Sequence, residues 1–351
     1  MKKILFTIFA TAALLGCSEG DRGVTPATPG AISFGNVSTR VDSASDIEEF
    51  SVWATVSSIT DGAVNPEVSY VPILENERVY RNPADSDTWT YDNTEYWISN
   101  SWFHFFAAYP YDLGFEQIRQ VAANGQSYTG YFLEVTADGT AGTQDILVAT
   151  CIKDTTSEGM FDMANPPVVP VSFKHLLSKL KLTISQNTDI DPEFEYYITK
   201  ITITGICNKG TYAVMPFNNQ FFETIDTGGS TTISIVKNYE DAPICLREDY
   251  ANGRKSKPHK VFGDDGVMMI PQEIAVDAIE IKVDYLYDVN PDDEDLGTPK
   301  SKTGYIPAIT WESNKSYQYN LSIANTSAIT FDQPTIEPWG SPQTGGTIII
   351  K

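Results

Sequence analysis

The sequence predicts an all-β protein, folded as two tandem Greek-key β-sandwiches. Three observations carry that expectation. Apolar residues recur with a period of two along short runs, as in "EEFSVWATVSS", where Phe50, Val52, Ala54 and Val56 alternate with the residues between them. Gly, Pro, Asn and Asp interrupt these runs at intervals suited to short strands. Strand-like and helix-like stretches do not alternate, so a parallel sheet of βαβ units is not expected. With 351 residues, 41% hydrophobic and 12% aromatic, the chain has material for about two domains with sizeable cores.

Residues 1–16 read as an export signal. "MKK" gives a basic start, and "ILFTIFATAALL" is an apolar run too short to cross a membrane as a mature helix. "LLGC" ends it with a small-residue cleavage site between Gly16 and Cys17. Leu14-Leu15-Gly16-Cys17 resembles the bacterial lipobox, which implies a diacylglyceryl group on the Cys17 sulfur and a further acyl chain on its freed amine. Each buried methylene contributes roughly 0.8 kcal/mol, so several acyl chains hold a protein on a membrane durably. The expected location is the outer membrane, as a surface-exposed lipoprotein. Residues 17–30, rich in Gly, Pro and Thr, form a flexible tether.

The next stretch, "AISFGNVSTRV", places Ile32 and Phe34 on one side of a short strand that stops at Thr39-Arg40. Strand runs follow through "WTYDNTEYWI", "WFHFFAAYP", "YTGYFLEVTA" and "DILVAT". "FKHLLSKLK" is the only helix candidate of note, although it also alternates as a strand through "KLKLTIS". Asn165-Pro166-Pro167 cannot continue a sheet, because neither proline offers an N–H. The expected division is therefore a sandwich over 31–165, a second over 166–328, and carboxy-terminal strands over 329–351.

The formal charge is −22, with 24 basic and 46 acidic residues. Loss of residues 1–16 removes Lys2 and Lys3 and takes the net charge to −24. Such a chain repels phosphate backbones, so no nucleic-acid partner is expected. It also repels anionic lipid surfaces, leaving the acyl group as the membrane attachment. Cys151, Cys207 and Cys245 are odd in number and lack CxxC spacing; they read mainly as small buried hydrophobes, with any single disulfide among them left open.

No constellation marks a catalytic centre. His104, His175 and His259 each stand alone, and no HExxH, GxSxG or phosphate-loop pattern occurs. No catalytic residue, cofactor or metal is assigned, and the chain is not expected to be an enzyme. Asp288, Asn290 and Asp292 alternate as at the start of a calcium loop, but the sixth position holds Asp293 where Gly is needed. The 288–295 stretch reads better as a solvated hairpin tip. Trp89, Tyr91, Tyr96, Trp97, Trp102 and Phe103 cluster in sequence. Trp97 and Trp102 are the candidate glycan platform, against the commoner role of strand aromatics as core.

Several segments, taken in order, resemble the fimbrillin family, the lipoprotein-derived subunits of type V pili in Gram-negative anaerobes. They are the lipobox leader, "ISFGNVSTR", "IEEFSVWATV", "YWISNSWFHFFAAYP", "DILVATC", "VPVSFKHLLSKLKLTI", "VMMIPQ", "ITWESNKSYQYNLSI" and "ITFDQPTIEPW". The resemblance implies two transthyretin-like sandwiches and a polymerisation route. An arginine-specific protease would cut between Arg40 and Val41 and release the strand carrying Ile32 and Phe34. A carboxy-terminal strand of the next subunit would fill the groove, supplied by Ile329 and Phe331 or by the terminal Ile348, Ile349 and Ile350. The partners so implied are other fimbrillin subunits, the protease, the outer membrane through Cys17, and a host glycan or protein receptor. The alternative reading is a monomeric outer-membrane surface lipoprotein that binds glycans.

Overall fold

The computed structural model describes residues 30–39, 47–58, 71–82, 85–121, 127–140, 142–155, 161–162, 164–187, 194–217, 220–228, 232–247, 256–288, 297–324, 329–331 and 333–339. Gly16 and Cys17, the Arg40–Val41 bond, and Ile348, Ile349 and Ile350 lie outside the described residues.

Regular structure among the described residues is entirely β, as the period-2 patterning predicts. In chain order the first strands are β1 (Phe34–Thr39), β2 (Glu49–Ser58), β3 (Val71–Asn82), β4 (Asp85–Thr90), β5 (Ser101–Tyr109), β6 (Glu116–Val121), β7 (Ser127–Thr136), β8 (Leu147–Asp154) and β9 (Val169–His175). Then come β10 (Ser178–Gln186), β11 (Glu195–Cys207), β12 (Lys209–Phe217), β13 (Gln220–Asp226), β14 (Thr232–Asn238), β15 (Ile244–Cys245) and β16 (His259–Lys260). The last are β17 (Val267–Met269), β18 (Gln272–Ile274), β19 (Glu280–Asp288), β20 (Thr298–Tyr305), β21 (Ile309–Trp311), β22 (Lys315–Ile323), β23 (Thr330–Phe331) and β24 (Thr335–Pro338).

A seven-stranded sheet runs β1-β9-β8-β5-β2-β3-β4. Its central strands β5 and β8 carry apolar side chains on both faces. Along β2, Val52 and Ala54 point one way and Trp53 the other, as strand geometry requires. The Trp53 face, with Phe106 and Val148, packs on Tyr131 and Leu133 of β7 and on Tyr212 and Val214 of β12. Those two strands are central in a four-stranded sheet, β13-β12-β7-β6. The Val52 face, with Phe50, Phe105 and Phe173, encloses a second core that includes Phe34 and Trp97. The sheet curls enough to bring its two edge strands, β1 and β4, into contact around that core.

A further pair of sheets surrounds a third core. One is built on β10 and β22, which run parallel, and the other follows the order β14-β11-β19-β20. Leu182, Ile201, Val283 and Tyr319 lie between them.

Two sequence expectations change. "FKHLLSKLK" is not a helix: β9 ends at His175, the chain bends at Leu176-Leu177, and β10 begins at Ser178. The break expected between 165 and 166 does not separate the sheets. Val169, Val171 and Phe173 of β9 fill the core of the first sheet, and β12 pairs with β7 across the same boundary. Prolines 166 and 167 stop pairing locally, but they do not determine which sheet the next strand joins. Cys151, Cys207 and Cys245 are all free. Of the 288–295 stretch only Asp288 is described, buried at the end of β19.

Candidate functional site

The seat of β1 is built from both ends of the curled sheet. Ile32 and Phe34 are 2% and 4% exposed, so the strand is held chiefly by these two side chains. Phe34 meets Tyr91 edge-on, with ring centroids 5.4 Å apart, and Phe105 at 5.9 Å. A small cavity beside it is lined by Val52, Ala107, Ala149 and Val171.

On one side β1 runs parallel to β9, with Phe34 opposite Val169 and Ser38 opposite Ser172. The Val169 N–H donates to the Ser33 carbonyl at 2.8 Å, and the Ser38 hydroxyl donates to that of Ser172 at 3.2 Å. This ladder is thin. Gly35 faces Pro170, which has no N–H to give, and the register slips between Gly35 and Ser38. Asn36 takes a φ of 47°, the left-handed region that Asn tolerates better than most residues.

On the other side the chain just before β1 is gripped by residues 91–97. The Ile32 N–H donates to the Glu95 carbonyl at 2.8 Å, and the Trp97 N–H donates to the Gly30 carbonyl at 2.9 Å. The Tyr91 hydroxyl donates to the Ile32 carbonyl at 2.8 Å and accepts from the Glu95 N–H at 3.2 Å. Burial pushes the Tyr91 phenol up to about 12, so it stays a neutral donor at neutral pH. The local sequence carried no signal for Tyr91 or Glu95 in this role, because the Tyr91–Ile32 contact spans 59 residues.

Of the candidate glycan platform, Trp97 is not a surface residue. Trp97 is 4% exposed, with Phe103 and Phe161 each 4.8 Å from it. Burial among these aromatics leaves no ring face for a sugar. Trp102 is half-buried on β5, where alternation turns it away from the Phe103 and Phe105 face.

Ile329 and Phe331 are occupied within their own chain. Ile329 is 7% exposed in the core of the second sandwich, and β23 runs antiparallel to β22. Gly304 makes room for them: a Cβ there would lie 2.8 Å from the Phe331 ring and 3.1 Å from the Ile329 Cβ. The strand β24 then pairs with the first half of β22 and leads to the buried Trp339. No group of three or more His, Cys, Asp or Glu among the described residues is placed to hold a metal.

A fimbrial protein from Bacteroides vulgatus shares the fold, with a TM-score of 0.57 at 16% identity over 88% of this chain and 99% of that one. A tip fimbrial protein from Porphyromonas gingivalis with a C-terminal truncation is 11% identical, covering 88% of this chain and 98% of that one, with a TM-score of 0.35. No curated protein matches. The fimbrillin-like family matches residues 39–339. With that match running through most of its length, the chain belongs to the fimbrillin-like family.

Proposed function

We propose that the chain is a structural subunit of cell-surface fimbriae, assembled by strand exchange into the seat of β1. On this reading it is exported as a lipoprotein acylated on Cys17 and reaches the outer membrane surface. An arginine-specific protease then cuts between Arg40 and Val41. Loss of β1 uncovers an apolar groove and unpaired backbone on β9, which favours pairing with a strand from another copy.

The observation that carries the reading is the match between occupant and candidate donor. The chain enters β1 as Ala31-Ile32-Ser33-Phe34, and the carboxy-terminal segment carries Ala328-Ile329-Thr330-Phe331. Both put Ile and Phe two residues apart, as one groove face requires. The thin β1–β9 ladder and the start of the family match at residue 39, next to Arg40, support removal of β1. For exchange, Ile329 and Phe331 must leave their own core; the terminal Ile348, Ile349 and Ile350 are the second candidate donor.

The test is cleavage of the purified precursor with an arginine-specific protease, followed by mass spectrometry and sizing. Ladders of oligomers should appear, and Arg40→Gln should abolish them. Truncation after Trp339 separates the two donors: ladders that persist assign the role to the Ile329 segment. A chain that stays monomeric after confirmed loss of residues up to Arg40 would overturn the reading.

A further inference from the structure

We propose that residues 91–97 form a second rail of the acceptor groove, clasping the incoming strand on the side away from β9. The inference rests on the strand-exchange reading and assigns residues to its acceptor side. The occupant is the Ile329–Phe331 strand of a second copy.

The geometry follows from alternation along β1. The Ser33 carbonyl points to β9, where it accepts from Val169. The N–H and C=O of Ile32 point the opposite way, to Glu95 and to the Tyr91 hydroxyl. These groups read backbone, not side chain, so they serve any strand seated in the same register. When β1 leaves, the Glu95 carbonyl and the Trp97 N–H lose their partners at the groove's rim, and the Tyr91 hydroxyl loses its acceptor while keeping the Glu95 N–H. Buried polar groups without partners are costly, so a new strand regains those bonds as well as apolar contact. A strand held on both sides has one permitted direction, parallel to β9, and one register, with Ile329 in the place of Ile32 and Phe331 in that of Phe34.

That register places Asp332 where β1 has Gly35. A Cβ at Gly35 would lie 2.7 Å from Val168 Cγ1, so the half-buried Val168 side chain must turn to admit the donor. The rail therefore comes with a selectivity step: a strand with glycine after the Phe seats more easily than the native donor.

The experiment uses the full chain nicked after Arg40 and a labelled synthetic peptide of residues 328–336. Binding is measured for the parent protein, for Tyr91→Phe, for the peptide N-methylated at the Ile329 amide, and for the peptide carrying Asp332→Gly. Loss of one hydrogen bond should weaken binding about threefold to tenfold in each of the second and third cases, and Asp332→Gly should tighten it. The N-methyl peptide leaves the protein untouched, so a folding defect in Tyr91→Phe cannot mimic the result. Unchanged affinity for both Tyr91→Phe and the N-methyl peptide, with the parent pair binding, would overturn the rail while strand exchange stands. Failure of the unmodified peptide to bind the nicked parent would overturn the rail with its Ile329 occupant, while strand exchange itself would be decided by the oligomer ladders of the cleaved chain.

Discussion

His175 and Trp339 stack face to face, with ring centroids 3.8 Å apart and planes 3° from parallel. His175 closes β9, the strand that holds β1, and Trp339 follows β24 near the end of the described chain. His175 Nδ1 lies 2.9 Å from the Asp145 carboxylate. The Lys179 ammonium sits 4.6 Å from the centre of the Trp339 ring. Asn314 ties the two backbones together: its side-chain oxygen accepts from the His175 N–H, and its carbonyl accepts from the Trp339 N–H.

The stack holds Trp339, at the end of β24, against the end of β9. Trp339→Ala should cost about 3 kcal/mol, the usual loss for a buried aromatic, read as a lower Tm. Hydrogen exchange should quicken along Thr335–Pro338 before it does so along β10.

Phe34 is one of the two buried side chains that hold β1. Phe34→Ala should lose about 3 kcal/mol or more at that strand. Exchange at the Ile32 and Trp97 amides should rise about a hundredfold, with β2 and β5 much less affected. Equal acceleration across all of these strands would mean that β1 is not a separable unit.

Gly304 controls how firmly the Ile329 segment stays at home. Gly304→Val should push Phe331 and Ile329 out of the second sandwich, since even a Cβ falls within 3.1 Å of both. The protein should lose stability by about 1–3 kcal/mol, and after nicking it should form oligomers faster than the parent. Slower assembly would point to the terminal isoleucines as the donor.

Tyr91 makes the clasp sensitive to alkali. Its phenol is pushed up to about 12 by burial, against a value near 10 in an unfolded chain. Its contribution to stability is therefore complete below pH 10 and is lost as the pH rises from 10 to 12. Tyr319, also pushed up to about 12, and Tyr131, raised by burial, titrate in parent and variant alike. Chemical denaturation of parent and Tyr91→Phe across that window should thus show a shallower decline in the variant.

The strands themselves were legible because alternation is a local property. Phe50, Val52, Ala54 and Val56 declare β2 without reference to anything distant. Which sheet a strand joins is not local. Nothing near Lys209 announces that β12 will pair with β7, some seventy residues earlier. The helix-like reading of "FKHLLSKLK" failed because Leu176 and Leu177, both fully buried at a bend, insert two apolar residues between two alternating strands. Trp97 was ambiguous for a related reason: an aromatic in a loop looks the same whether it faces solvent or caps a core. Of the candidate site, Ile32 and Phe34 could be read from the sequence. The rail at 91–97 could not, because it exists only when both edges of a curled sheet meet.

The pairing of β1 with β9 also sets an order of events in synthesis. Ser38 and Ser172 touch across 134 residues of chain. A chain emerging amino-terminus first must carry β1 without a partner until β9 has followed it. Contacts so far apart in sequence form late and slowly. The first strand to be made is thus among the last that can dock, and it joins a sheet whose other members already pair among themselves. A strand that is not required for its neighbours to assemble can later leave without dismantling them.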